Sequence, residues 1–223
     1  MSQKKIEIMD TTLRDGEQTS GVSFAANEKL TIAQLLLDEL KIDRIEIASA
    51  RVSEGEFKAV KNITAWAAKQ GHLGKIEVLT FVDHGTSIQW MKEAGAKVQN
   101  LLTKGSMNHL EHQLCKTPKQ HFSEIEISIQ MASEQGIETN VYLEDWSNGM
   151  RNSRAYVYQY LDFIVTQPVK RVMLPDTLGI LTPQESFDYV KEIKAKYPSL
   201  HLDFHCHNDY DLSVANAMEA IKG

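Results

Sequence analysis

The chain has 223 residues, of which 42% are hydrophobic and 24% are charged, and these proportions are typical of a globular domain. A formal net charge of −6 argues against a nucleic-acid partner or a membrane surface as partner. No apolar run approaches the roughly 20 residues that span a bilayer, and the N-terminus lacks the apolar core of a signal peptide. The two cysteines, Cys115 and Cys206, favour a reducing, cytoplasmic location over a disulfide framework.

Short apolar segments alternate along the chain with amphipathic ones. The apolar segments predict seven strands, at residues 5–10, 43–49, 75–82, 98–103, 138–144, 170–176 and 200–207. The amphipathic segments predict seven helices, at residues 27–41, 53–71, 85–95, 117–136, 153–167, 182–198 and 211–222. Residues 53–56 and 182–185 have the pattern of capping boxes. Gly71 and Gly136 stand where a left-handed residue would end a helix.

The alternation of strands and helices predicts a parallel sheet with right-handed crossovers. Two α/β architectures have that pattern, an open doubly wound sheet and a closed (β/α)8 TIM barrel. A doubly wound sheet favours apolar residues on both faces, but the fifth strand places Tyr142 and Glu144 on one face, and the seventh places His205 and His207 on one face. We therefore expect one TIM-barrel catalytic domain over residues 1–223, with its chemistry at the carboxyl ends of the strands. Only seven units are found, so the eighth βα unit is expected to be missing.

Candidate metal ligands follow the first and the seventh predicted strands. Asp15 comes after the first strand, and His205 and His207 end the seventh. Residues i and i+2 of a strand point to the same side, so the two imidazoles share a face. Two imidazoles and a carboxylate suit a catalytic Zn, Mn, Fe or Co ion, with Mg also compatible, and leave positions for water or substrate. A lone histidine is more often a hydrogen-bonded core residue, and Cys206 is expected to be a small buried hydrophobe.

Three further polar residues stand at predicted strand ends. Arg14 is either half of an ion pair with its neighbour or a clamp for a carboxylate or enolate oxygen. Glu144 is either a solvated carboxylate or a general base. Thr177 is either a cap for the next segment or a donor to a substrate carboxylate. His109 and His112 are expected at the surface.

Two well-separated motifs resemble those of a known superfamily. The segment Asp-Thr-Thr-Leu-Arg-Asp-Gly-Glu-Gln at 10–18 and the segment His-Cys-His-Asn-Asp at 205–209 resemble the DRE-TIM metallolyases. Within them the chain is similar to the 2-isopropylmalate, homocitrate and citramalate synthases, and most similar to bacterial (R)-citramalate synthases. Further similar segments lie at 45–49, 140–146, 174–179 and 208–216.

The resemblance implies a Claisen-type condensation of acetyl-CoA with a 2-oxo acid, followed by thioester hydrolysis, in isoleucine or leucine biosynthesis. It implies that the three candidate ligands hold a divalent metal (Zn, Mn or Mg), that Arg14 stabilises the developing oxyanion and that Thr177 binds the substrate carboxylate. Glu144 would help to deprotonate the acetyl methyl group. The family pattern continues with an eighth strand, a linker and often a regulatory domain, which are expected to be absent from these 223 residues. A homodimer is expected at full length.

The substrate is expected to be chosen by three strand residues. Leu79, Leu102 and Tyr142 should form a compact apolar wall near the metal, and no spare arginine or lysine is expected there, so 2-oxoglutarate is disfavoured. The wall favours pyruvate, which gives (R)-citramalate, with 2-oxoisovalerate, which gives 2-isopropylmalate, as the alternative. An acyl-CoA lyase of the same superfamily and a non-catalytic metal-binding module are the other two hypotheses.

Overall fold

The computed structural model describes residues 6–223, so the start of the first predicted strand, at residue 5, lies outside the described residues. The strands of the described part are β1 (Met9–Asp10), β2 (Arg44–Ser49), β3 (Ile76–Phe81), β4 (Val98–Lys104), β5 (Glu138–Glu144), β6 (Arg171–Asp176) and β7 (Leu202–Cys206). The α-helices are α1 (Ala26–Gln34), α2 (Glu54–Gln70), α3 (Thr86–Ala94), α4 (Met107–His112), α5 (Pro118–Glu134), α6 (Trp146–Asn152), α7 (Arg154–Ile164), α8 (Pro183–Lys196) and α9 (Ser213–Lys222).

The hydrogen-bonding order of the strands is the order of the chain, from β1 through β7. The pairs β1/β2, β2/β3, β5/β6 and β6/β7 are parallel. A doubly wound sheet reverses its strand order at a switch point, whereas a barrel adds each strand beside the preceding one. The order therefore confirms the barrel topology predicted from the alternating pattern and excludes the doubly wound alternative.

The structure divides into two compact units, one of residues up to 100 together with 131–138, and one of residues 101–130 together with 139–223. In the first unit, strand β2 has one apolar face and one polar face. Ile45 and Ile47 of β2 are buried in an apolar core that includes side chains of α1, α2 and α3. Glu46, between them, is also buried but points to the opposite face. We call that face, which is opposite to the helices, the polar face of the strands.

The second unit repeats this arrangement on β5 and β6. Val141, Leu143, Val172 and Leu174 are fully buried, and each such side chain contributes about 1.5–3 kcal/mol through burial. Trp146 of α6 has no exposed surface, and its ring lies edge-on to the rings of Tyr189 and Phe204, at centroid distances of 6.1 and 6.2 Å. The tryptophan is thus a packing residue.

Two short helices, α4 and α6, lie where the sequence predicts loops. They have only six and seven residues, which is too short for an apolar period to be recognised. α4 is instead capped by Ser106, whose Oγ accepts a hydrogen bond from His109 N at 3.2 Å. α6 approaches the turn after β4 so closely that a Cβ on Gly149 would lie 2.0 Å from the carbonyl oxygen of Gly105. Tertiary contacts rather than periodicity define both helices.

The predicted helix-capping residues are confirmed, with one exception. Thr182 forms both halves of a capping box with Glu185, and Gly71 adopts a left-handed φ of 73° after α2. The Ser53 side chain caps α2. The second half of that capping box, a hydrogen bond from Ser53 N to the Glu56 carboxylate, is wrong, because this carboxylate accepts a hydrogen bond from Lys29 instead.

Among residues 6–223, no helix has both the length and the apolar character that a membrane crossing requires.

Candidate active site

The loop after β1 carries Arg14 and Asp15 in the first unit. The backbone N–H groups of Arg14, Asp15 and Gly16 all donate to the carbonyl oxygen of Thr11, at 3.1, 2.8 and 3.1 Å. The Arg14 guanidinium donates to Asp15 Oδ1 at 2.7 Å. The structure therefore shows an ion pair between neighbours, which is one of the two alternatives given for Arg14. The pairing orients the carboxylate that the sequence offers as a metal ligand.

Arg14 is held from a second side by β2. Its Nε donates to Glu46 Oε2 at 2.5 Å, and Glu46 Oε1 accepts a hydrogen bond from Asn100 Nδ2 of β4 at 2.7 Å. The Glu46 side chain has no exposed surface, so its charge depends on these partners rather than on water. The Arg14 guanidinium is thus held between two carboxylates, and these hydrogen bonds restrict its orientation.

The carboxyl end of β7 presents the two histidines of the second unit. The His205 and His207 rings lie side by side, with centroids 5.1 Å apart, as expected for positions i and i+2. The Tyr142 ring lies edge-on to His205 at 6.2 Å, which places this predicted pocket residue beside a candidate ligand. The backbone N–H of His207 donates a hydrogen bond to the carbonyl oxygen of Asp176 at 3.2 Å, so the end of β7 is anchored to β6.

Cys206 faces away from the histidines. Its thiol donates to the carbonyl oxygen of Ser213, at the start of α9, at 3.0 Å. Burial is the main cause, with nearby Asp176 as the second, that raises the pKa of the thiol to about 11. A protonated, half-buried thiol that faces α9 agrees with the prediction that Cys206 is a packing residue and not a ligand.

Glu144 ends β5 and forms an ion pair with Lys104, the last residue of β4. Both side chains are partly exposed, Lys104 by 12% and Glu144 by 25%. The pair places a cation two residues beyond Leu102 on the same face of β4, a position that the sequence argument about substrate charge did not consider. In this structure Lys104 is paired with Glu144.

Thr177 lies directly after β6 and accepts a hydrogen bond from the backbone N–H of Asp145 at 2.9 Å. Asp145 is buried with a left-handed φ of 66°, and its carboxylate accepts a hydrogen bond from Ser106 at 2.6 Å. His109 Nε2 lies 3.6 Å from that carboxylate and is only 19% exposed. The expectation that His109 is a surface residue is therefore wrong, whereas His112 is exposed.

The predicted site residues are divided between the units. Arg14, Asp15 and Leu79 belong to the first unit, and the remaining six, which are Leu102, Tyr142, Glu144, Thr177, His205 and His207, belong to the second. Sequence reasoning missed Glu46, Asn100 and Lys104 as their partners. Each is a polar residue in a mostly buried strand, and that misfit between residue type and burial was the feature that could have identified them.

The family model described as HMGL-like matches residues 5–223. The chain belongs to the HMGL-like family. A probable 2-isopropylmalate synthase from Ignicoccus hospitalis is 33% identical over 219 residues, which are 98% of this chain and 53% of the relative. A 2-isopropylmalate synthase from Pyrococcus furiosus is 31% identical over 222 residues, or 98% of this chain and 44% of the relative. These matches confirm the DRE-TIM superfamily and its synthase branch.

The chain spans about half the length of these curated HMGL-like relatives. Among solved structures, hydroxymethylglutaryl-CoA lyase from Pseudomonas aeruginosa matches with a TM-score of 0.74 at 17% identity, over 98% of this chain and 73% of the lyase. At that identity the similarity concerns the fold alone. It agrees with the strand order and confirms the TIM-barrel fold class.

Proposed function

We propose that the protein containing this HMGL-like chain condenses acetyl-CoA with a 2-oxo acid, and that 2-oxoisovalerate is the acid, giving 2-isopropylmalate for leucine biosynthesis. The observation that carries the proposal is the similarity along 98% of the chain to two proteins named 2-isopropylmalate synthase. The preference for pyruvate expected from the sequence has less support, because these relatives carry the name of the alternative. Pyruvate remains the second candidate.

The proposed metal site consists of Asp15, His205 and His207. One carboxylate and two imidazoles are a donor set that fits a catalytic divalent ion. The two rings are already side by side at the end of β7. When bound, the metal would polarise the ketone of the 2-oxo acid as a Lewis acid.

The other roles follow from the hydrogen bonds of each residue. Arg14, aligned by Glu46, is proposed to stabilise negative charge that develops on the ketone oxygen. Thr177 uses its oxygen to accept from Asp145 N, so its hydroxyl hydrogen can be directed at the substrate carboxylate. Glu144, which pairs with Lys104, is proposed to accept the proton of the acetyl methyl group.

Pyruvate is retained because of one contact at the pocket. The Tyr142 ring stands edge-on to His205 and is only 3% exposed, so it restricts the space beside the proposed metal. Leu79, 6% exposed, and the half-buried Leu102 are proposed to complete this wall. Two additional methyl groups in an apolar pocket change specificity by only a few kcal/mol, so both acids are reasonable substrates.

The test is a thiol-release assay on the full-length protein, with acetyl-CoA and each of pyruvate, 2-oxoisovalerate and 2-oxoglutarate. We expect kcat/KM to be highest for 2-oxoisovalerate, and Leu102→Ala to raise the ratio for 2-oxoisovalerate over pyruvate. A higher kcat/KM for pyruvate would favour citramalate formation. Absence of thiol release, together with cleavage of a 3-hydroxyacyl-CoA, would replace the condensation by the lyase hypothesis. The proposed homodimer is checked on the same sample by light scattering.

A further inference from the structure

Lys29 of α1 is a charged side chain with no exposed surface. Its ammonium lies 2.5 Å from a carboxylate oxygen of Glu17 and 2.5 Å from one of Glu56. It also donates to the carbonyl oxygen of Leu13 at 3.0 Å. An ammonium has three N–H donors, and these three acceptors satisfy all of them.

Burying a lysine is costly unless its charge is paired, because an ion loses several kcal/mol of hydration in a protein interior. The partners of Lys29 come from different parts of the first unit. Glu56 is in the first turn of α2, whereas Leu13 and Glu17 belong to the loop after β1. Burial raises the pKa of Glu56, and the hydrogen bond from Lys29 opposes that rise. The buried Lys29 ammonium therefore depends on these contacts for its stability.

Two of these contacts enclose the loop that carries Arg14 and Asp15. Leu13 directly precedes Arg14, and Glu17 follows Asp15 by two residues. Glu17 also accepts a hydrogen bond from Phe24 N at 2.8 Å, which joins the loop to the segment before α1. The loop is thus held at both ends by one buried cation.

We infer that Lys29 is a positioning residue that fixes the loop after β1, so that Arg14 and Asp15 are held ready for ligand before it binds. The inference rests on the proposed function, because it gives a purpose to the geometry of the proposed ligand Asp15. Lys29 itself touches neither substrate nor metal. Its effect is transmitted through the backbone of Leu13 and the side chain of Glu17.

The experiment compares Lys29→Met with Lys29→Arg, which keeps the charge, and with Glu77→Gln as a matched control. Glu77 is 1% exposed and pairs with Arg44 at 2.8 Å, so its loss also breaks a buried ion pair of the first unit while leaving the Lys29 contacts intact. If Lys29→Met does not fold, Glu56→Gln replaces it as the milder change to the same cluster.

The first readout is amide hydrogen exchange, measured without added metal on the peptide that covers residues 11–18. We expect Lys29→Met to speed this exchange at least tenfold, Lys29→Arg to restore part of the protection and Glu77→Gln to leave the peptide unchanged. The second readout is the Zn²⁺ dissociation constant by chelator competition, which we expect Lys29→Met to raise about tenfold, as loss of an outer-shell contact does.

Unchanged exchange in Lys29→Met would overturn the inference, whatever the metal affinity. Faster exchange with an unchanged dissociation constant would also overturn it, since the loop would then be stabilised without positioning the ligand. Equal losses of zinc affinity in Lys29→Met and Glu77→Gln would reduce Lys29 to a general contribution to stability. If the parent protein binds no zinc, the proposed metal site fails, and the exchange experiment still decides whether Lys29 orders the loop.

Discussion

The loops after β1 and after β7 both carry proposed metal ligands, but they are held in different ways. The β1 loop is fixed by buried charges, since Lys29 contacts Glu17 and Arg14 contacts Glu46. The β7 loop is fixed by hydrogen bonds of the Asn208 side chain, one of them to the Asp211 carboxylate, and by backbone packing. Its Asn208 side chain accepts from Ser213 N at 3.1 Å, and its backbone packs against Gly179.

The two loops therefore differ in the interaction that holds the proposed ligands in place, which is buried ion pairing in one and close backbone packing in the other. Buried charges have directional partners, so the β1 loop should respond strongly when a charge is removed and little to changes in volume. Close backbone packing has no such partners, so the β7 loop should respond to added volume instead. Glu46→Gln and Gly179→Ala test the two sides of this contrast, whereas His121→Gln tests a buried imidazole and Lys104→Met a partly exposed ion pair.

The largest effect is expected from Glu46→Gln. The substitution removes a charge that has no exposed surface and leaves Arg14 Nε or Asn100 Nδ2 facing an amide nitrogen that cannot accept a hydrogen bond. We expect the free energy of unfolding to fall by about 3–5 kcal/mol, as measured by urea denaturation. Glu93→Gln, on the exposed side of α3, serves as control and should change it by less than about 0.5 kcal/mol. Equal effects of Glu46→Gln and Glu93→Gln on the free energy of unfolding would contradict the view that buried charges fix the β1 loop.

The second prediction concerns pH and the uncharged groups of the second unit. His121 Nε2 accepts a hydrogen bond from Lys104 N at 3.2 Å, so the ring is neutral there. Burial lowers the pKa of His121 to about 4; nearby Glu124 opposes this, while Lys116 and Lys104 add to it.

An imidazole in the unfolded chain protonates near pH 6.5, so between about pH 6.5 and 4 the unfolded state binds the extra proton. Stability is therefore complete above pH 6.5 and falls by at most about 3 kcal/mol as the pH is lowered towards 4. His121→Gln should remove this part of the pH dependence of the free energy of unfolding. A variant that loses stability in acid as steeply as the parent would show that His121 is not the group responsible.

Gly179→Ala tests the steric side of the comparison. Gly179 has a φ of +59°, and a Cβ there would lie 2.7 Å from Asp209 N and 3.0 Å from the carbonyl carbon of His207. We expect a loss of about 2 kcal/mol, since strain and overlap add. Gly71→Ala has a similar φ of +73° with no atom within 4 Å, so it should cost only the strain of about 1 kcal/mol. The difference in thermal midpoint between the two variants measures the packing of the β7 loop.

The smallest effect is expected from Lys104→Met. This change also breaks an ion pair, but Glu144 is 25% exposed, so water can solvate the carboxylate that remains. We expect the free energy of unfolding to change by less than about 1 kcal/mol, while kcat/KM falls if Glu144 is the base. A loss as large as that of Glu46→Gln would mean that burial does not distinguish the two ion pairs.

Local sequence patterns predicted most of the elements and supplied the candidate site residues. The strands and the long helices follow from periods of 2 and 3.6 residues, which depend only on neighbours along the chain. The position of His205 and His207 on one side of β7 follows from the same strand period, and the ring contact agrees with it. Even the cap of Thr182 on α8 is local, because its partner Glu185 is three residues away.

The partners of the site residues were decided by the tertiary structure. Arg14 and Glu46 are 32 residues apart, Lys29 and Glu56 are 27 apart, and Lys104 and Glu144 are 40 apart. Each of these residues has several possible partners of opposite charge in the sequence, and only the folded chain selects one. The sequence by itself therefore determined the α/β class, the strand faces and the candidate ligands, since those depend on local geometry. The tertiary structure decided which charges meet, because a buried charge takes the partner that the fold brings within hydrogen-bonding distance.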